Sequence, residues 1–95
     1  MHFVIHCLDK PGALPTRLAN YDAHKAYLSA PPVAIVISGP LVADDGETMI
    51  GSFFLVEAAD RAAVEAFHRN DPFFHAGVWE TVSINPFLKR MDNRA

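Results

Sequence analysis

A chain of 95 residues with a formal net charge of −3 is long enough for one hydrophobic core and too short for two, so a single domain is expected over residues 1–95. Hydrophobic residues make up 51% and charged residues 20%, which excludes a disordered segment, and eight scattered Lys and Arg form no basic stripe that would select nucleic acid as a partner. The longest apolar runs fall short of the roughly 20 residues of a membrane span and are broken by Pro and Gly, so no membrane association is expected.

The first residues, MHFVIHCLDK, read as a strand rather than a secretory leader. Over residues 2 to 8, Phe3, Ile5 and Cys7 alternate with His2, Val4 and His6, which leaves one apolar face and one carrying histidines. Cys7 is the only cysteine, so no internal disulfide can form and a reducing, cytoplasmic setting is the default expectation. After the turn-like DKPGALP, the spacing predicts one helix from about 15 to 29, with Leu14, Leu18, Tyr21 and Leu28 on its inner side and the Ala-Pro-Pro run ending it.

Residues 33–42 and 49–58 are rich in β-branched and aromatic side chains and flank an Asp-Gly turn signal, which predicts a hairpin. Asp60 is the expected N-cap of a second helix over 61–69, on which Val64 and Phe67 point inward. The last strand, from Val78, sets Val78, Glu80, Val82 and Ile84 against Trp79, Thr81 and Ser83. A domain core over about 1–87 and a polar tail over 88–95 complete the chain. The order βαββαβ is the split βαβ, ferredoxin-like α+β arrangement, an antiparallel sheet with its helices on one face. The sheet face left uncovered leads to the expectation of a homodimer.

Three features could carry chemistry. His24 sits at the edge of the apolar stripe of the first helix, about 20 degrees from the direction of Arg17. It is either a boundary histidine bonded to the backbone or a half-buried imidazole suited to moving protons near neutral pH. Asp71 heads the Asp-Pro-Phe-Phe run, whose form is an N-cap followed by proline at the first helical position. Yet a carboxylate beside Phe73, Phe74 and Trp79 is desolvated, and its charge then needs a cation or a donor nearby, with His24 and Arg17 as the candidates. Gly39-Pro40 inside a strand implies a bulge or an edge, which could expose Ser38 and the Gly39 backbone to a ligand.

A metal site has little support. His2 and His6 stand about 13 Å apart along a strand, too far to share one ion, and neither paired cysteines nor a nucleotide fingerprint is present.

The helix segment AHKAYL, the run SGPLVADDG, the strand GSFFLVEAAD and the late NDPFFHAGVWETVSINPF, in this order and spacing, resemble the YCII-related (YciI-like) family over about residues 1 to 87. The resemblance implies a dimeric α+β barrel of ferredoxin-like subunits, with His24 and Asp71 as the catalytic pair. Ser38, Gly39 and Pro40 line the same cleft in that picture, and Arg17, Pro72 and Phe73 are further candidate substrate-binding residues. Phe73 stands where a tyrosine is common. The implied activity is cofactor-independent acid–base chemistry on a small organic molecule, of lyase, dehydrochlorinase-like or isomerase type, with no metal. The alternative is a non-catalytic small-molecule-binding or accessory dimer whose Asp–His pair is structural.

Overall fold

The computed structural model describes residues 1–94. Its elements are β1 (His2–Asp9), α1 (Leu14–Ala19), α2 (Tyr21–Leu28), β2 (Ala34–Val42), β3 (Met49–Glu57), α3 (Arg61–Arg69), α4 (Pro72–His75) and β4 (Trp79–Phe87). The strands form one antiparallel sheet in the order β2-β3-β1-β4, the ferredoxin-like α+β topology. Central β1 carries the predicted alternation: Phe3, Ile5 and Cys7 pair with Val56, Phe54 and Ser52 of β3. Phe3, Ile5 and Cys7 are buried against Val64 and Phe67 of α3 and Phe73 of α4. Each fully buried phenylalanine or isoleucine here contributes roughly 1.5–3 kcal/mol of hydrophobic stabilisation.

The first helix is not continuous. Asn20, at φ −108° and ψ 8°, leaves helical geometry and separates α1 from α2, while its side chain bonds the Thr16 carbonyl at 2.9 Å. Across the break Arg17 and His24 still face inward together, as a spacing of seven residues predicts. Leu18 and Tyr21, expected on the core face, are 54% and 39% exposed, and the buried side chains of the two helices are Arg17 and His24. The inward face is the one that carries Arg17 and His24, not the one the leucines alone would select.

A second departure occurs in β4. The β1–β4 register shifts between Leu8 and Asp9, so that Asp9 pairs with Trp79 while Leu8 pairs with Thr81. One extra residue in a strand moves the side chains beyond it to the opposite face. Trp79 is thereby turned to the helical side and buried, against the simple alternation that set it apart from Val82. The Gly39-Pro40 step, in contrast, is regularly paired with Phe53 and Ser52 on edge strand β2, and that strand's register shifts lie on either side of it. The edge position, where proline's missing N–H costs no ladder bond, accounts for it.

Gly51 has its own requirement. A Cβ there would collide with the Cys7 carbonyl oxygen of the adjacent strand. On the outer sheet face Leu8, Ile37 and Phe87 are exposed, and Met91, Asp92, Asn93 and Arg94 border a shallow hollow with Ile37 and Leu55. No helix among the described residues is long and apolar enough to cross a membrane.

Candidate active site

The Asn-Asp-Pro break after α3 does two things with one atom. Asp71 is extended (φ −69°, ψ 133°) ahead of Pro72, the conformation a residue before proline prefers, and its Oδ1 accepts the Phe73 backbone N–H at 2.8 Å as the N-cap of α4. The same Oδ1 lies 2.8 Å from Nδ1 of His24. Cap and ion-pair partner are therefore not alternatives. Gly77, at φ 72°, then turns the chain out of α4 toward β4.

A carboxylate only accepts, so the bond to Asp71 requires a proton on Nδ1 of His24. In the neutral ring Nε2 then carries the lone pair. The ring is held flat on Phe73, with centroids 3.9 Å apart and planes 8° from parallel, and Phe54 meets its edge at 6.2 Å. Orientation is thus set by a carboxylate on one edge and an aromatic wall on one face.

His24 lines a cleft of about 230 Å³ between the first helical pair and the β2–β3 edge, together with Arg17, Tyr21 and Lys25 on the helical side and Ser38, Gly39, Pro40, Ser52 and Phe54 on the sheet. That volume exceeds the ~150 Å³ known to accept a benzene ring and falls short of a drug-sized site, so it fits one substituted ring or a molecule of similar size. Arg17, Lys25 and His24 supply every titratable or charged group of the lining apart from the Tyr21 phenol, and no carboxylate faces it.

Arg17 is more committed than the sequence implies. Nε and Nη2 grip the carboxylate of Asp9 at 2.8 and 2.9 Å, and Nη2 also reaches the Gly51 carbonyl (2.8 Å) and Ser52 Oγ (2.7 Å). Its guanidinium carbon stands 4.7 Å above the Phe73 ring. Asp71 is therefore compensated by His24, not Arg17, and only Nη1 of Arg17 has no hydrogen bond to the protein among the described residues. Phe73 is wholly buried behind His24 and Arg17 and supports both instead of bordering the cleft, and Pro72 is also absent from the lining.

Sequence reasoning missed Asp9, read as a turn residue, and Ser52, read as part of an apolar strand. The signal for Ser52 was a polar residue at an inward position of the alternation that includes Phe54 and Val56. Asp9 offered only an acid at the end of an apolar strand.

Behind the cleft, His68 is buried and stacks on Trp79 at 4.8 Å. Burial pushes its pKa below the ordinary 6.5, opposed by the nearby Asp71 charge. His68 is then neutral in the fold while an unfolded chain protonates it near pH 6.5, so the unfolded state binds more protons as the pH drops below that value. Stability should fall from pH 6.5 downward until the folded imidazole also protonates. Urea unfolding across that window should show a shallower pH slope in His68→Gln, by up to about 1.4 kcal/mol per pH unit, one proton's worth. Burial likewise pushes the Cys7 thiol up to about 12, helped by Asp71, which keeps it protonated and unreactive. Among the described residues no group of three or more His, Cys, Asp or Glu side chains could hold a metal ion.

Comparison with known proteins places this architecture. The model of the YCII-related domain matches residues 1–88. The chain belongs to the YCII-related family. It is 35% identical to Protein YciI of Escherichia coli O6:H1 over 94% of its own length and 98% of that protein, and 30% identical to an uncharacterized protein of Haemophilus influenzae over the same shares. Among solved structures it is similar to 5-chloro-2-hydroxyhydroquinone dehydrochlorinase (TftG) from Burkholderia phenoliruptrix AC1100 in complex with 2,5-dihydroxybenzoquinone. The TM-score is 0.84 at 36% identity, covering 93% of this chain and 94% of that one.

Proposed function

We propose that the protein is an acid–base enzyme acting on a small ring that bears oxygen substituents, by lyase or isomerase chemistry of the dehydrochlorinase kind. The observation that carries this reading is the His24–Asp71 bond, which commits Nδ1 and leaves Nε2 as the basic nitrogen of a residue that lines the cleft. His24 takes a proton from the ligand and returns it later, Asp71 holds the ring in the required tautomer, and Arg17 Nη1 attracts the negative charge that develops. In loss of hydrogen chloride the base removes a proton, the electron pair left behind moves toward the carbon–chlorine bond, chloride departs, and His24 passes the proton to solvent instead of returning it. Ser38, Gly39 and Pro40 close the cleft from the β2 edge, and no step needs a group beyond the chain's own residues.

The likeness to a dehydrochlorinase in complex with a dihydroxybenzoquinone supports a hydroxylated ring as the ligand class. We further infer a homodimer that covers Leu8, Ile37 and Phe87 on the outer sheet face, and a cytoplasmic setting, supported by the lone buried Cys7. Light scattering of the purified protein checks the dimer: twice the 10.4 kDa chain mass is expected, and a monomer at all concentrations contradicts it.

The function is tested by chloride release from 5-chloro-2-hydroxyhydroquinone and by exchange of ligand protons with deuterated water, with no added metal or nucleotide. Release or exchange that disappears in His24→Gln is the expected result. Binding of the ring without either reaction would overturn the enzymatic reading in favour of an accessory binding module.

A further inference from the structure

Ser52 is 3% exposed, lies on β3 in line with Phe54 and Val56, and borders the cleft. A serine hydroxyl donates one hydrogen bond and accepts two. Oγ faces two donors: Arg17 Nη2, whose two protons it shares with Asp9 and the Gly51 carbonyl, at 2.7 Å, and the Trp79 indole N–H at 3.2 Å. Neither partner can reverse its role, because guanidinium and indole groups have no acceptor. The hydroxyl proton is therefore obliged to be donated elsewhere. Among the described residues it has no acceptor within the protein, and the cleft that Ser52 borders is where a ligand would supply one.

The neighbours sharpen this donor. Two N–H groups, one of them cationic, draw electron density from Oγ, and a hydrogen bond from a hydroxyl polarised in this way is strengthened in a water-poor site. Arg17 connects Ser52 to the rest of the site: its Nη2 fixes the serine, and its unpaired Nη1 belongs to the same cleft-lining side chain.

We propose that Ser52 is a substrate-binding residue whose Oγ–H, with Nη1 of Arg17, holds the carbonyl or phenolic oxygen of the ligand. The assignment rests on the reading of the cleft given under Proposed function and deepens it. The substrate class becomes a ring whose reacting proton lies next to a carbonyl or enol oxygen. When His24 Nε2 takes that proton from carbon, the C–H pair shifts into the ring and the charge appears on the oxygen, where a neutral donor and a cation meet it. The step is a proton transfer with no net oxidation. Donors that bond more strongly to the oxyanion than to the neutral ligand lower the barrier.

A matched pair of probes tests this by fluorine NMR titration at pH 8: pentafluorophenolate, which presents one oxyanion, and pentafluorobenzene, which has the same ring without it. The wild type should prefer the phenolate. Ser52→Ala should weaken phenolate binding about ten- to a hundred-fold, the effect of losing one hydrogen bond to a charged group, and leave pentafluorobenzene unchanged. Unchanged phenolate affinity, or equal losses for both probes, would overturn the assignment. Should Ser52→Ala not fold, Ser52→Cys, with its weaker donor, should weaken the phenolate alone, and equal affinity there would overturn it equally. If the wild type binds neither probe while folded, the ligand class read for the cleft fails, and the role of Ser52 falls with it.

Discussion

Arg17→Met should destabilise the protein by roughly 3–5 kcal/mol, the range found when one partner of a buried ion pair is removed. The side chains of Arg17 and Asp9 are only 3% and 6% exposed, so the variant strands the Asp9 carboxylate in a place that water cannot reach well. It also leaves the Gly51 carbonyl and Ser52 Oγ without their cationic donor. Against a typical total stability of 5–15 kcal/mol, such a loss brings a chain of this size close to unfolding. The double variant Arg17→Met, Asp9→Leu should recover much of the loss, because two apolar side chains leave no charge unpaired. Urea denaturation of the two single variants and the double variant measures the coupling. A loss below about 1 kcal/mol in Arg17→Met would mean the pair is solvated like a surface bridge.

Asp71→Asn should leave the fold nearly intact and lower turnover about ten- to a hundred-fold, the effect of losing a hydrogen bond to a charged group. Asparagine remains a good N-cap, so the Phe73 N–H keeps an acceptor and α4 keeps its start. What changes is the imidazole. The capping oxygen is also the one that faces Nδ1, so the amide keeps the ring proton on Nδ1 but lacks the negative charge that stabilises the imidazolium formed when Nε2 takes a proton. His24→Gln should lose activity to a comparable or greater degree, since it removes the base itself. Steady-state rates at fixed protein concentration, alongside thermal unfolding of each variant, separate the chemical effect from a folding defect. Equal rates in Asp71→Asn and wild type would reduce Asp71 to a cap.

Particular residues show why some of this was legible from sequence and some was not. Asp60 caps α3 through the Ala63 N–H at 2.9 Å, and α3 spans the expected residues, because cap, length and apolar spacing are local signals. The alternation of Phe3, Ile5 and Cys7 settled the inner face of β1 for the same reason. Asn20 carried no comparable warning: an asparagine inside a helical pattern costs only a few tenths of a kcal/mol. The register shift opposite Trp79 is likewise a property of strand pairing, which local periodicity does not contain. His24 and Asp71 were recognisable as a candidate pair across 47 residues, but the Arg17–Asp9 grip and the two donors on Ser52 exist only once three elements converge.

The central claim is that Asp71 commits Nδ1 of His24 and leaves Nε2 basic toward the cleft. Long-range ¹H–¹⁵N correlation NMR on histidine-labelled protein, at a pH where the ring is neutral, reads the tautomer directly. The account predicts a proton on Nδ1 and a lone pair on Nε2 in the wild type. A neutral wild-type ring protonated on Nε2 would contradict it.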